Sequence, residues 1–342
     1  MSSTGADEPL FAVDSLRVEF WTSRGTIYAV NGVSYAVNPG DTLAIVGESG
    51  SGKSVSALAA LGLLPRAGRV VAGSAKYEGR DLVRLSDRAM RSIRGKDIAM
   101  IFQDPMTSLN PVLTIGRQIR EALQTHLDLS KGEALSRTAD LLDRVGIPSP
   151  KVRLRDYPHQ FSGGMRQRAM IAMALACEPK VVIADEPTTA LDVTIQAQIL
   201  DLLRELVTER GTALILITHD LGVVAGMCER VNVMYGGMFV ETASAKQLFA
   251  RPRHPYTLGL LQSVPRLDAA RTAQLLPIPG SPRNMLSPPA ACPFQPRCRY
   301  EVDLSRQEVP PLVEVERGHS VACFNPVPDD QWARERSELV AG

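Results

Sequence analysis

The sequence lacks the features that would assign it to a membrane-spanning, nucleic-acid-binding or secreted class. No apolar run approaches the roughly 18 residues that a helix needs to cross a bilayer; the best candidates are VSALAALGLL and RAMIAMALAC. The 38 Lys and Arg balance 37 Asp and Glu, so the net charge of +1 gives no general attraction for nucleic acid. The start, MSSTGADEPLFAV, has neither a basic segment nor an apolar run. We therefore expect no signal peptide and a cytosolic chain.

Cysteine is also scarce, with five in the chain. Cys177 and Cys228 are isolated in apolar contexts, which favours buried structural thiols. Cys292, Cys298 and Cys323 lie together near the end of the sequence. In a cytosolic chain such a cluster favours a metal site over a disulfide.

The order of apolar runs predicts an α/β protein. Residues 9–46 alternate apolar and polar positions, which predicts short strands ending in DTLAIVG, a buried strand that enters a glycine loop. KVVIAD and TALILITH are fully apolar, as strands inside a parallel sheet are. Residues 104–180 have mostly helical patterns. Residues 277–311 are rich in proline, which predicts a small C-terminal appendage poor in regular structure.

The segment GESGSGKS at residues 47–54 fits the pattern G-x-x-x-x-G-K-[ST]. Its glycines let successive backbone N–H groups point at a phosphate, and the following helix aims its positive end at the same place. Lys53 adds a cation for the β- and γ-phosphates, and Ser54 offers a hydroxyl to Mg²⁺. The strand before and the helix after favour a nucleotide loop over a Gly/Ser turn. The candidate contacts are Gly47, Glu48, Ser49, Gly50, Ser51, Gly52, Lys53 and Ser54.

Three further strand ends carry polar side chains. VVIADEP places Asp185 and Glu186 after four apolar residues, where Asp185 can reach Mg²⁺ and Glu186 can polarise an attacking water. The alternative is an acid pair that only caps a loop. ITHD supplies His219, a structural residue or a contact to the γ-phosphate, and IFQDP supplies Gln103, whose amide could meet Mg²⁺ or the water.

The segment FSGGMRQR presents Ser162, Gly163 and Gly164 before a helical run. A serine cap, bare backbone N–H groups and the helix dipole make this a second anion-binding helix start. The simpler interpretation is an N-capped helix whose glycines permit the turn. Because the chain already has a phosphate loop, the alternative is that this helix start covers a nucleotide held by another chain.

In order, GESGSGKS, FQDP, FSGGM, VVIADEP, TALD and ITHD resemble the ATP-binding subunit of ABC transporters over roughly residues 9–250. The resemblance implies a P-loop (RecA-like) core with an antiparallel β subdomain and a helical subdomain. It also implies two ATP molecules, with Mg²⁺, sandwiched between two such subunits. The usual signature is LSGGQ. This chain has Phe161 in place of its leucine and Met165 in place of its glutamine, and it keeps the serine and both glycines.

The resemblance also implies roles for single residues. Glu186 would be the catalytic base, His219 the switch histidine and Gln103 the link to a membrane subunit. Magnesium would be held through Ser54, Gln103 and Asp185. Asp192 of TALD would lie at the dimer interface with Ser162, Gly163 and Gly164, against the partner's ATP. Phe20 of VEFWT would stack on adenine, with Trp21 as the alternative.

The stretches RPRHPYTLGLLQSVP and DEPTTALDVTIQAQIL resemble the importers of dipeptides and oligopeptides, and FSGGMRQRAMIAMALACEPK resembles the D-type of their two paired ATPases. The resemblance implies a heterodimer with a sister ATPase on the cytoplasmic face of the membrane. The dimer would dock on two permeases that are fed by an extracellular peptide-binding protein. We expect a nucleotide-binding domain over residues 8–258, with its helical subdomain at about 104–180, and a C-terminal extension over 259–342.

Members of this branch often carry four C-terminal cysteines, a pattern associated with a [4Fe–4S] cluster. Here the third position falls at Ser305, between Cys292 and Cys298 on one side and Cys323 on the other. Three interpretations stay open: a cluster with one iron met by Ser305 or another group, a zinc ion with His319 as fourth ligand, and a packed tail with reduced thiols.

Other cargoes, and two functions of other classes, compete with peptide import. Relatives in this branch carry nickel, glutathione or other small solutes. A soluble ABC-type ATPase acting on nucleic acid or ribosomes would need coiled-coil insertions, zinc hooks or tandem cassettes, and the sequence has none. An ATP-binding regulatory subunit without catalysis would be expected to lose Glu186 or His219, and both are present. We therefore predict an ATP-hydrolysing transport subunit with no nucleic-acid partner.

Overall fold

A computed structural model describes residues 8–188, 193–263 and 277–328, together with Gln331 and Arg334. In chain order the strands are β1 Phe11–Thr22, β2 Gly25–Val37, β3 Thr42–Val46, β4 Gly68–Tyr77, β5 Arg80–Asp81, β6 Ile98–Ile101, β7 Val181–Asp185, β8 Ala213–Thr218, β9 Arg230–Tyr235, β10 Met238–Ser244, β11 Val313–Glu316 and β12 His319–Val321. The helices are α1 Lys53–Ala60, α2 Asp87–Ile93, α3 Pro105–Ser108, α4 Ile115–His126, α5 Lys131–Arg144, α6 Pro150–Arg153, α7 Gly163–Leu175, α8 Val193–Arg210, α9 Leu221–Met227, α10 Ala245–Ala250 and α11 Pro255–Gln262.

The chain forms two compact units. The first contains the described residues up to Ala36, Leu43–Val83 and those from Ile217 onward. The second contains Val37–Thr42 and Arg84–Leu216. The boundary therefore falls inside β8, and each unit has its own set of strands and helices.

In the first unit, one sheet has the strand order β2-β1-β4-β5. Strands β1 and β4 run antiparallel, from Phe11 opposite Tyr77 to Phe20 opposite Gly68. This sheet is the predicted antiparallel β subdomain. The prediction of short strands over residues 9–46 is wrong in length, since β1 has 12 residues and β2 has 13. The register of the β1–β4 pair shifts between Asp14 and Val18, and the pairing continues on both sides of the shift.

The other strands of the first unit have the order β11-β12-β10-β9-β3. Strand β3 pairs in parallel with β9, and all five of its residues are buried, as expected for a strand covered on both faces. Strands β9, β10, β12 and β11 pair antiparallel in turn. Residues 277–311 contain no strand or α-helix, in keeping with the predicted appendage poor in regular structure. Regular structure follows only after that segment, where β12 pairs with β10 and so joins the appendage to this sheet.

The second unit contains strands β8-β7-β6 and the helices α2 to α8. Strands β6 and β7 pair in parallel, with Ile98 opposite Val181 and Ile101 opposite Ala184. Helices α3 to α7 occupy the region predicted to be helical. Polar caps define their starts: the Thr114 side chain accepts from Arg117 N at α4, and Ser130 forms a capping box with Glu133 at α5. Among the described residues, none of the helices has the length and apolarity needed to cross a bilayer.

The two isolated cysteines differ in burial. Cys228 is buried, as predicted, and burial raises the pKa of its thiol to about 12. Cys177 is only half-buried, with its Sγ 3.7 Å from the carbonyl oxygen of Ala122, so the prediction of full burial is wrong for this residue.

A buried carboxylate joins three segments of the first unit. Glu241 of β10 is fully buried and accepts from the backbone N–H groups of Arg253 at 2.7 Å and His254 at 2.8 Å. His319 Nε2 of β12 lies 2.7 Å from Glu241 Oε1. The acid therefore links β10, β12 and the start of α11, where the His254 ring caps Tyr256 N at 3.0 Å.

Replacing Glu241 with Leu leaves two buried N–H groups and His319 without their acceptor. We expect the free energy of unfolding to fall by about 3 kcal/mol, measured by urea denaturation of the purified chain. Glu308→Leu, at an exposed position, is the matched control and should change it by less than about 0.5 kcal/mol. Equal losses in both variants would contradict the structural role of Glu241.

Candidate functional site

The predicted phosphate loop follows β3 and leads into α1 in the first unit. Its glycines lie where a side chain has no room: a Cβ on Gly47 would lie 2.2 Å from the Met234 carbonyl oxygen, and one on Gly52 would lie 2.4 Å from that of Ala29. Both residues have positive φ, 154° and 107°. Since other residues rarely adopt such angles, glycine is required at both positions for the loop to curl against β2 and β9.

Lys53 is buried within the loop. Its Nζ donates to the carbonyl oxygens of Gly47 at 2.7 Å and Glu48 at 3.0 Å. Ser51 N donates to Glu48 O at 3.2 Å, and Gly237 N donates to Ser51 O at 2.9 Å. The Ser51 hydroxyl is buried and has no hydrogen-bond partner among the residues that the structure describes. The loop thus has an internal cation and a buried hydroxyl, the groups that bind an anion.

Two residues that the sequence analysis missed also hold this loop. Glu48 N donates to the Tyr256 hydroxyl at 2.7 Å, and the Glu48 carboxylate forms a bidentate pair with Arg297 at 2.6 and 3.0 Å. Tyr256 lies in the stretch RPRHPYT, whose pattern indicates the family but not a contact with the phosphate loop. Arg297 lies between Cys292 and Cys298, and no local pattern indicated its partner.

The second unit brings the predicted acid pair and Gln103 together. Asp185 ends β7 and is 5% exposed. Gln103 Nε2 donates to Glu186 Oε2 at 2.8 Å. This contact follows from the parallel register of Ile101 with Ala184, because each partner lies two residues beyond its paired position. Glu186 has a φ of 46°, an uncommon value for a residue with a side chain, and its surroundings must hold that conformation.

The predicted anion-binding helix start is α7 in the same unit. The Ser162 side chain accepts from Met165 N at 3.3 Å, as an N-cap does. A Cβ on Gly163 would meet nothing within 4 Å, whereas one on Gly164 would lie 3.3 Å from Ile195 Cγ2, so the helix start is open at Gly163 only. One turn further on, the buried Gln167 amide donates to the Pro187 carbonyl oxygen at 2.6 Å. This bond ties α7 to the residue that follows Glu186.

The remaining predicted nucleotide residues differ in exposure. His219 is exposed directly after β8. Phe20 is half-buried, and its ring would lie 2.9 Å from a Cβ on Gly68, whereas the neighbouring Trp21 is 60% exposed. The structure therefore leaves Trp21 as the more open ring of the two. Asp192 lies outside the described residues.

The C-terminal thiols lie close to one another. Burial, and then the charge of Cys292, raises the pKa of Cys298. Burial, and then the charges of Cys298, Cys292 and Glu241, raises the pKa of Cys323 to about 12. Cys292 N donates to Ser305 O at 3.1 Å. The structure therefore brings the four predicted ligand residues into one region, with their thiols favouring the protonated form.

These residues are nevertheless not arranged as a metal site. In the ranges described, no group of three or more His, Cys, Asp and Glu side chains could hold a metal ion. The Ser305 hydroxyl donates to Val302 O at 2.5 Å and accepts from Val302 N at 3.1 Å. His319 Nε2 faces Glu241. The donor set therefore fits neither a four-ligand cluster nor a zinc ion.

Two family models match the chain. The model described as ABC transporter matches residues 30–189. The model described as oligopeptide/dipeptide transporter, C-terminal region, matches residues 240–304. The second match contains both Tyr256 and Arg297.

Curated relatives match nearly the whole chain. The oligopeptide transport ATP-binding protein OppD of Salmonella typhimurium is 51% identical over 329 residues, covering 95% of this chain and 97% of the relative. The dipeptide transport ATP-binding protein DppD of Bacillus subtilis is 52% identical over 318 residues, covering 93% and 95%.

Solved structures align with 69–71% of the chain. A dimeric ATP-binding cassette in a post-hydrolysis state with ADP and Pi aligns with a TM-score of 0.63 and 27% identity, over 69% of this chain and 98% of that one. The structure of cbiO1 from Clostridium perfringens, part of the ABC transporter complex cbiONQ, aligns with a TM-score of 0.60 and 29% identity, over 71% and 92%. The predicted P-loop cassette fold is confirmed.

Removing the Gln167 amide releases the turn that carries Glu186. We expect Gln167→Ala to lower the rate of ATP hydrolysis at saturating ATP by about tenfold or more, because small displacements of reacting groups are costly. Its dissociation constant for ATP should stay within about twofold of the native value, since Gly47–Ser54 is untouched. Calorimetric titration and a phosphate-release assay measure the two quantities.

Gln124→Ala, at an exposed position of α4, is the control and should leave both quantities unchanged. A native hydrolysis rate in Gln167→Ala would show that the Pro187 contact does not position the acid.

Proposed function

The chain belongs to the family of ATP-binding subunits of oligopeptide and dipeptide ABC transporters, and we propose that it hydrolyses ATP to energise the import of di- or oligopeptides. The observation that carries the proposal is the match of the C-terminal region. The cassette alone is common to ABC ATPases, whereas residues 240–304 match a model described as the C-terminal region of oligopeptide/dipeptide transporters. The curated relatives named for oligopeptide and dipeptide transport favour peptides over nickel or glutathione-like cargo.

The residues of the phosphate loop bind ATP in this proposal. The backbone N–H groups of Gly47–Ser54 and the buried Lys53 hold the phosphates. The requirement for glycine at Gly47 and Gly52, which lets the loop curl, supports this role. As the resemblance implies, Ser54, Gln103 and Asp185 would hold Mg²⁺, which would supply charge neutralisation for phosphoryl transfer. Phe20, or the more exposed Trp21, stacks on adenine.

Hydrolysis depends on the acid pair. Glu186 acts as general base toward the attacking water, and Gln103 holds its carboxylate through the 2.8 Å hydrogen bond. His219 is the candidate switch residue that contacts the γ-phosphate. The unusual φ of Glu186 is consistent with this role, since strained backbone is concentrated at functional sites.

The coupling to transport requires a second ATPase subunit. Ser162, Gly163 and Gly164 would cover ATP held by the sister subunit, with Asp192 at the interface. The capped start of α7, which is open at Gly163, supports this role, as does the dimeric form of a solved relative. Closure and opening follow from contacts to phosphate that only the ATP state provides.

The same proposal assigns the partners and the division of the chain. The pair of ATPases docks, peripherally and on the cytoplasmic face, on two membrane permeases, which an extracellular peptide-binding protein supplies. Residues 8–258 form the nucleotide-binding domain, with the helical subdomain at about 104–180, and residues 259–342 form the extension.

Glu186→Gln removes the proposed base while keeping the shape of the side chain. We expect ATP hydrolysis by the complex reconstituted with its sister ATPase and permeases to fall by about 10²–10⁴-fold. Uptake of a labelled dipeptide and a labelled oligopeptide into proteoliposomes should be lost with it, while ATP binding and the closed dimer persist. Glu209→Gln, on an exposed position of α8, is the control.

Other outcomes of that experiment would replace the proposal. Native hydrolysis in Glu186→Gln would refute the catalytic assignment. Uptake of nickel or glutathione in place of peptides would change the cargo. ATPase activity that only nucleic acid stimulates, without association with permeases, would favour a soluble ABC-type ATPase.

A [4Fe–4S] cluster is not part of the proposed mechanism, because the described donors do not fit one. We expect anaerobically purified protein to contain substoichiometric iron and zinc and to lack a charge-transfer band at about 400 nm. Ser305→Cys supplies the fourth thiolate of the family pattern and should gain iron on reconstitution, whereas Ser287→Cys, at an exposed position, should not. Stoichiometric iron with that band in the native chain would contradict this prediction.

A further inference from the structure

An arginine 249 residues further along the chain holds the second residue of the phosphate loop. Arg297 Nη1 donates to Glu48 Oε2 at 2.6 Å, and Nη2 donates to Oε1 at 3.0 Å, so the pair is bidentate. The side chain of Arg297 is 3% exposed and that of Glu48 is 27% exposed. Because the pair is mostly withdrawn from water, loss of one partner has a larger effect than at an exposed ion pair.

Arg297 is itself held rigidly. Its Nε donates to Pro279 O at 2.7 Å, and its backbone N–H donates to Phe294 O at 3.0 Å on a short 3₁₀ turn. The guanidinium lies over the rings of Tyr235 and Phe294, at 5.8 and 5.9 Å from their centroids. A side chain with these contacts has few alternative rotamers, so it can fix the position of its partner.

The loop residue that Arg297 holds is fixed at three places. Besides the carboxylate, the N–H of Glu48 donates to Tyr256 and its carbonyl oxygen accepts from Lys53. Glu48 also brings a negative charge into a loop that binds a polyanion. An unpaired carboxylate there would repel the triphosphate, and Arg297 offsets that charge.

We propose that Arg297 is a positioning residue for ATP binding, which acts through Glu48 to hold the phosphate loop and to neutralise its carboxylate. The proposal rests on the function proposed for Gly47–Ser54. It assigns a role in the nucleotide site to the C-terminal region, 240–304, which otherwise distinguishes peptide transporters. Arg297 touches neither substrate nor reacting atoms and is not a catalytic residue.

The test is a double-mutant cycle in the full-length chain, with the dissociation constant for MgATP measured by calorimetry. We expect Arg297→Gln to raise it by about tenfold, as loss of a buried partner does. In a Glu48→Gln background, Arg297→Gln should raise the dissociation constant by less than about twofold, because the charge that Arg297 offsets is already absent. Arg297→Lys keeps the positive charge but loses the paired N–H donors of the guanidinium, so it should retain more of the MgATP affinity than Arg297→Gln does.

Two further measurements separate positioning from damage to the fold. At saturating MgATP, Arg297→Gln should hydrolyse ATP within about twofold of the native rate, since its effect is on binding. Arg299→Gln is the matched control; this exposed arginine lies two residues on, with its guanidinium over the Tyr300 ring. Its dissociation constant should equal that of the native chain.

Additive effects of Arg297→Gln and Glu48→Gln, or equal effects of Arg297→Gln and Arg299→Gln, would overturn the proposal. If Arg297→Gln does not fold, Arg297→Lys in the native and Glu48→Gln backgrounds gives the same cycle. A native chain that fails to bind MgATP would refute the function proposed for the loop. Normal binding by a folded Arg297→Gln refutes only the role of Arg297.

Discussion

The structure depends first on how closely the backbone of the phosphate loop approaches its neighbours. The carbonyl oxygens of Ala29 and Met234 lie where a Cβ of Gly52 or Gly47 would otherwise be. Only glycine permits this approach together with the positive φ of both residues. Strands β2 and β9 therefore define the shape of the loop, and the pairing of those strands with the rest of the first unit becomes a condition for binding phosphate.

The C-terminal region contributes to that condition. Strand β12 extends the sheet from β10, and the buried Glu241 joins it to the start of α11. Helix α11 carries Tyr256, which accepts from Glu48 N, and the turn that follows Cys292 carries Arg297. Residues that are distant from the nucleotide motifs in the sequence thus surround the same loop, which gives a physical reason for their presence in a transport ATPase.

The second unit determines the position of the Glu186 carboxylate. The parallel register of β6 with β7 puts Gln103 beside Glu186, and Gln167 of α7 holds the next residue, Pro187. The helix start with Ser162, Gly163 and Gly164 is therefore linked covalently and by hydrogen bonds to the strand end that carries the acid. A displacement of α7 would be transmitted to Glu186 through a short chain of polar contacts.

The linear sequence was sufficient for the features that local chemistry encodes. Glycine spacing, a lysine and a serine identify a phosphate loop, apolar runs identify β3, β7 and β8, and a serine before two glycines identifies the start of α7. It also indicated that Gln103 and Glu186 each follow a strand end, but not that their side chains form a hydrogen bond. It did not indicate the non-local pairing of β12 with β10, since strands of only four and three residues have a weak pattern.

Only the folded chain decided which charges meet. Arg297 and Glu48 are 249 residues apart, and His319 and Glu241 are 78 apart, so no periodicity or spacing relates them. The serine in place of a fourth thiol was visible in the sequence, but its hydrogen bonds to Val302 were not. Local motifs specify which groups are available, whereas register and packing specify their partners, because a hydrogen bond depends on distances that the order of residues does not contain.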